Sequence, residues 1–121
     1  MTSTNEIVYD DCYITLTKNT LILKTYYFPF GFSKTIPRGE IDRIWKGNDL
    51  DLSFLKKKSW GMALSNIWWA CRMGREFDSD NSANFVGSSK QQRGLFAFRW
   101  GFSVEDPAAV TPLVNEYIEE A

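Results

Sequence analysis

The stretch "RGLFAFRWGFS" constrains this chain more than any other. Phe96, Phe98, Trp100 and Phe102 occupy every second position in it. Side chains alternate between faces along a strand, so four aromatic rings fall on one side, with Ala97, Arg99 and Gly101 on the other. A helix would scatter the same residues around its axis. The chain must therefore build a sheet with an aromatic face, and something must cover that face.

The remaining sequence supplies further strands. "NFVGSSKQQ" reads as the opposing arm of a hairpin whose turn lies around Gln91-Gln92-Arg93-Gly94. "EIVYDDCYITLT" and "TLILKTYYF" are rich in β-branched and aromatic residues, with "KN" as a tight turn between them. Cys12, Ile14 and Leu16 share one face of the first; Leu21 and Leu23 share a face of the second, with Lys24 opposite. "FPFGF" offers Pro29 and Gly31 for a turn or bulge. "SKTIPRGEIDRIWKG" reads as a short strand, a corner at Pro37-Arg38-Gly39 and a second strand. Ile41 and Ile44 break its alternation, which a bulge or a single helical turn would reconcile. "NDLDLSFLKKKS" is charged and irregular, a long loop over 48–59.

The chain then changes character. In "SVEDPAAVTPLVNEYIEEA", Asp106 is a candidate N-cap and Pro107 suits the first helical position. Val110, Leu113, Val114, Tyr117 and Ile118 follow helical spacing and form an apolar stripe that needs a packing partner. Pro112 lacks the N–H for the bond to residue 108, so the helix bends there or begins near Thr111. The expectation is a single domain over 1–121 that is mainly β, with about seven strands and one C-terminal α-helix over about 107–120. Residues 1–5 are expected to be flexible.

Composition removes most chemistry. The chain has 121 residues and no histidine. That excludes Ser-His-Asp and Cys-His nucleophiles and nearly all histidine-bearing zinc sites. The two cysteines, Cys12 and Cys71, form no short-spaced metal or redox motif and are expected reduced and at least partly buried. "DSDNSAN" begins like a calcium loop with Asp78 and Asp80, but Ala83 stands at the sixth place and Ser89 at the twelfth, so a polar turn is expected. No nucleophile–base pair can be named. The expectation is no enzyme, no metal and no cofactor. A net charge of −1 argues against nucleic acid as a partner. No export signal and no run of ~18 apolar residues is visible, so a cytoplasmic protein is expected.

With "LILKTYYFPFGFSKTIPRGEI" and later "RWGFSVEDPAAVTPLV" leading into a terminal helix, the chain resembles bacterial pleckstrin-homology-like (PH-like) domains. The matching pieces are a strand pair, Lys34-Thr35-Ile36-Pro37 through Ile41, and Phe102 to Val114. The resemblance implies a seven-stranded, strongly bent barrel or sandwich capped by the C-terminal helix. It also implies no catalysis, and a role in binding proteins, peptides or, in some branches, phosphoinositide headgroups. The headgroup-binding branch carries several Lys and Arg around the first hairpin. Only Lys18 and Lys24 stand there in this chain, a departure that counts against inositol phosphates.

Two candidate surfaces remain. In "SNIWWACRMGR" a strand would put Ile67, Trp69, Cys71 and Met73 on one face, and Trp68, Ala70 and Arg72 on the other. If the first face lines the core, Trp68 is left outside beside Arg72 and Arg75, a Trp–Arg set of the kind enriched at protein interfaces. The competing reading places Trp68 under the 48–59 loop. In "KKKSWGMAL", Lys56, Lys57 and Lys58 could meet an anionic membrane with Trp60 at the interface. A protein partner or a second copy is the main expectation, and membrane contact the alternative. A small-molecule ligand stays open, since it needs a cavity that sequence alone does not reveal.

Overall fold

In the computed structural model, the residues described are 6–50, 52, 56–62, 66–90 and 98–119. Asp11 decides how the chain begins. Its Oδ1 accepts the backbone N–H groups of Tyr13 (2.7 Å) and Ile14 (2.8 Å). An aspartate that gathers the amides following it makes a turn of its own. The expected single strand therefore breaks into β1 (Ile7–Asp10) and β2 (Ile14–Thr17), which pair antiparallel. Cys12 is exposed at that turn and not inside with Ile14 and Leu16.

β3 (Thr20–Tyr27) follows the expected Lys18-Asn19 turn, and β4 (Phe32–Pro37) completes a four-stranded antiparallel sheet in the order β1-β2-β3-β4. A 3-10 turn at Arg38–Glu40 makes the corner, then β5 (Ile41–Lys46) pairs with β8 (Asn84–Ser89). The register slips between Ile41 and Arg43, so a bulge and not a helical turn reconciles Ile41 with Ile44. β8 pairs antiparallel with β9 (Arg99–Ser103); the expected turn around 91–94 and Phe96 lie outside the described residues. β6 (Gly61–Met62) and β7 (Ile67–Trp69) form a small hairpin on the far side of β9, with β7 parallel to it. The second sheet thus runs β5-β8-β9-β7-β6. The described residues contain nine strands where about seven were expected. The break at Asp11 and the short β6 account for the surplus.

Helix α1 spans Pro107–Glu119 and runs through Pro112 without beginning anew at Thr111. Asp106 caps it, its Oδ1 accepting from Ala109 N–H at 3.2 Å. One core joins the first sheet (Ile14, Leu16, Leu21, Leu23, Ile36), the second (Ile41, Phe85, Trp100, Phe102) and the helix (Val110, Val114, Tyr117). The expected aromatic stripe faces this core through Trp100 and Phe102, with Phe98 half-buried at its end. The chain is mainly β, with one C-terminal helix among the described residues. No described helix is long and apolar enough to cross a membrane.

A second apolar cluster lies on the opposite face of the second sheet. It holds Leu52, Ile67, Trp69 and Val86, with Trp45 and Leu50 against it. The second sheet therefore carries apolar side chains packed on both faces, the outer one in part beneath Leu50 and Leu52. That double packing decides where the two adjacent tryptophans go.

Candidate functional site

Trp68 and Trp69 lie in β7 and point to opposite faces, as a strand requires. The assignment of those faces reverses the expectation. Trp68 faces inward, half-buried against the main core, while Trp69 takes the outer face and is fully buried there. Within the 48–59 stretch, the described residues Leu50, Leu52 and Lys56 lie on the Trp69 side: the first two share its apolar cluster, and the Trp69 indole N–H donates to the Lys56 carbonyl at 3.0 Å. Gly101, the partner of Trp69 across the ladder, has no room for a side chain, because a Cβ there would collide with the indole ring.

Above Trp69 sits Arg75, which has no exposed surface and whose guanidinium lies 4.7 Å from the ring centroid. Its Nε donates to Ser103 Oγ (3.1 Å) and its Nη1 to the Lys58 carbonyl (2.8 Å), while Nη2 has no hydrogen-bond partner among the described residues. Burial first, and the charge of Arg72 second, lower its pKa to about 9, so it remains a cation at neutral pH. Lys57 is also buried, donating from Nζ to the Asp78 carbonyl (2.6 Å) and Asn81 Oδ1 (2.8 Å). Asp78 receives Arg72 and Asn84. Burial pushes the Asp78 carboxyl up, but the hydrogen bonds from Arg72 and Asn84 and the charges of Arg72 and Lys57 outweigh it. The net result holds the carboxyl below the ordinary aspartate range.

These placements correct the interaction surface expected from sequence. Arg75 is interior, a strut between Trp69 and β9. Arg72 is half-buried and committed to Asp78. Trp68 is on the far side of the sheet from Arg75. The three do not form one outward face. Met73 is exposed, because β7 ends at Trp69 and the chain turns at Gly74 in the left-handed region. Of the membrane set, Lys57 is withdrawn into the interior, Lys56 is half-buried and Lys58 alone is exposed. The Asp78–Asp80 segment is a polar turn, with Asp80 receiving Asn48 Nδ2 and Ser82 N–H.

The inward tryptophan leads to a different surface. The β3–β4 ladder loses register between Leu23 and Tyr27, and Thr25 adopts φ +50° in the middle of that slip. Carbonyls freed from the ladder must find other donors. The Thr25 carbonyl accepts Cys71 N–H at 2.9 Å, and the Tyr26 carbonyl accepts the indole N–H groups of both Trp60 and Trp68, each at 2.9 Å. This slip in the first sheet thus clamps three points of the segment that carries β6 and β7. Tyr26 and Trp68 lie with ring centroids 6.3 Å apart.

Beyond the clamp, the hairpin tip projects bare aromatic side chains. Tyr27 is 42% exposed, Phe28 55%, Phe30 78% and Phe32 68%. Phe28 meets Trp60 edge-on at 5.0 Å between centroids, and Phe30 lies 6.2 Å from Phe32. Beside the tip, a groove of about 310 Å³ is lined by Tyr26, Tyr27, Lys34, Trp68 and Phe98. The sequence reading treated "FPFGF" as punctuation and missed this site. The signal was present, because a turn needs Pro29 and Gly31 but has no use for phenylalanines on either side of them.

Among the described residues, no group of three or more Cys, Asp or Glu is placed to hold a metal ion. Cys71 is half-buried and Cys12 exposed. Comparison of the chain with protein-family models, with curated proteins and with solved structures finds no match.

Proposed function

We propose that this chain is a non-catalytic, cytoplasmic binding module of the PH-like type that meets another protein, or a second copy of itself, through its aromatic end. The observation that carries the reading is the exposed set Phe28, Phe30 and Phe32 at one hairpin tip. Clustered exposed apolar groups mark interaction surfaces, whereas scattered ones are ordinary. The topology supports the PH-like part. A four-stranded antiparallel meander precedes β5, β8 and β9, themselves an antiparallel set, and the terminal helix packs on the core between the sheets. On this reading β6 and β7 belong to an insertion between the fifth and sixth strands of that plan. The non-catalytic part rests on the missing histidine and on the commitment of Arg72, Arg75, Lys57 and Asp78 to one another and to backbone.

A photo-crosslinking residue at Phe30, introduced in living cells, tests the reading against the same residue at Glu40, which is exposed elsewhere. The expected result is a discrete protein adduct from position 30 alone. An adduct of twice the chain mass identifies a second copy. Identical adducts from both positions, or none from position 30, would overturn it.

The membrane alternative keeps one favourable observation: Trp60 packs on Phe28, so the tip and the Lys58 neighbourhood adjoin. It predicts salt-sensitive co-sedimentation with anionic vesicles that weakens in a Lys58→Gln variant. A protein that stays in the supernatant at low salt removes it.

A further inference from the structure

The groove beside the hairpin tip has the properties of a ligand site. Its volume of about 310 Å³ lies at the small end of the roughly 300–1,000 Å³ found for small-molecule pockets, which combine apolar walls with a few placed polar groups. Among its described lining residues, Tyr26, Tyr27, Trp68 and Phe98 are aromatic and Lys34 is the charged one. Trp68 is fixed by its bond to the Tyr26 carbonyl. A wall that is already ordered loses little freedom when a ligand arrives.

Lys34 decides the charge of the occupant. It stands opposite Leu23 in the β3–β4 ladder, with Nζ 5.6 Å from the Tyr26 ring centroid and 5.9 Å from that of Tyr27. Among the described residues it makes no hydrogen bond or ion pair. An aromatic pocket without such a lysine would suit a cationic ligand. Here a cation already lies over the two tyrosine rings, and a second would be repelled. An anion would instead find an unpaired ammonium. Burial, and then the neighbouring Tyr27, push the Tyr26 hydroxyl well above the ordinary tyrosine range, so that wall stays uncharged and does not repel an anion.

We infer that the groove binds an apolar carboxylate, with the carboxylate on Lys34 Nζ and the apolar body against Trp68 and Phe98. The same chemistry is offered by a free aromatic or aliphatic acid and by the C-terminal residue of a polypeptide. The site requires only the groove, and stands or falls whether or not the phenylalanine tip meets another protein.

The probe is 3-phenylpropionate, compared with its neutral amide and with a hexapeptide ending in phenylalanine with a free carboxylate. Binding is read from the indole N–H resonances of Trp68 and, as internal control, Trp69. The acid is expected to shift Trp68 saturably and leave Trp69 in place. A charged hydrogen bond makes the amide weaker by about tenfold or more. Lys34→Gln should remove the acid–amide difference and Lys34→Arg should keep it. Tighter binding of the hexapeptide than of the free acid assigns the site to a chain terminus; equal or weaker binding assigns it to a small acid. Equal binding of acid and amide by the wild-type protein, or a Trp68 resonance that never moves, would overturn the inference.

Discussion

Trp68 and Trp69 are neighbours in sequence and occupy opposite worlds. Trp69 is fully buried, its indole bonded to the Lys56 carbonyl, with a buried guanidinium over its ring and a glycine beneath it. Trp68 is held at the rim of the main core, its indole tied to a bulged strand and its ring forming one wall of an open groove. One side of the second sheet spends its polar side chains on one another, through Arg72, Arg75, Lys57, Asp78 and Asn84. On its other side lies the main core, beyond which the β3–β4 tip of the first sheet carries exposed aromatic groups. A single step along a strand separates a sealed, hydrogen-bonded interior from an open aromatic groove.

That contrast is broken most forcefully at Trp69. Trp69→Ala removes a fully buried aromatic side chain and strips the floor from Arg75, and should cost about 3–5 kcal/mol in urea unfolding. The loss should far exceed that of any change at the hairpin tip. A cost below that of Trp68→Ala would erase the distinction between the two faces.

Asp78→Ala comes next, because it leaves Arg72 and Asn84 without their carboxylate acceptor, while the Lys57 bond to the backbone carbonyl at 78 remains. Removing one partner of a buried pair costs about 3–5 kcal/mol, and partial exposure of Arg72 and Asp78 reduces this to about 2 kcal/mol at pH 7. The pH dependence follows from the lowered Asp78 pKa. In the acid range the unfolded chain binds the proton first, so stability falls as pH falls. The carboxylate's contribution is complete above the unfolded aspartate value of about 4 and disappears as pH drops through the folded value. The gap between wild type and Asp78→Ala should therefore close in acid, as read by urea midpoints across pH. A gap independent of pH would contradict the network.

On the opposite face, Trp68→Phe keeps most of the ring but loses the bond to the Tyr26 carbonyl, at about 1 kcal/mol. Trp60 still donates to that carbonyl, so the acceptor is not orphaned. A loss above about 3 kcal/mol would make Trp68 as structural as Trp69. The smallest effect belongs to Phe30→Ser at the exposed tip, within about 0.5 kcal/mol of wild type. Its thermal midpoint should hold while the adduct from a photo-crosslinking residue, placed here at Phe32, vanishes.

Much of the fold was legible because its signals are local. The alternating aromatics in "RWGFS", the Lys18-Asn19 turn, the Pro37 corner and the Asp106 cap each act within a few residues. The β7 strand was legible too, but not which of its faces turns inward. Both faces of the second sheet are apolar: Phe85 and Val86 alternate just as Trp68 and Trp69 do. Hydrophobic alternation cannot orient a sheet buried on both sides. The orientation comes from β7 pairing parallel with β9 and from Leu52 and the Lys56 carbonyl meeting Trp69, both contacts between residues apart in sequence. Arg75 looked exposed because arginine rarely is buried without a partner. The polar groups that receive it, Ser103 and the carbonyl of Lys58, come from elements distant in sequence. The aromatic tip was legible in principle, and was passed over because a Pro-Gly turn already explained the segment.

The opposition of the two tryptophans is tested most directly by the 19F NMR spectrum of protein labelled with 5-fluorotryptophan, recorded in H2O and in D2O. The five tryptophans give five lines, assignable by single Trp→Phe replacements. The account predicts no solvent isotope shift for Trp69 and Trp100, which are fully buried, and a clear shift for Trp68 at the groove. A shift at Trp69 with Trp68 silent would contradict it, because the outer face would then be open to water and the groove at Trp68 closed.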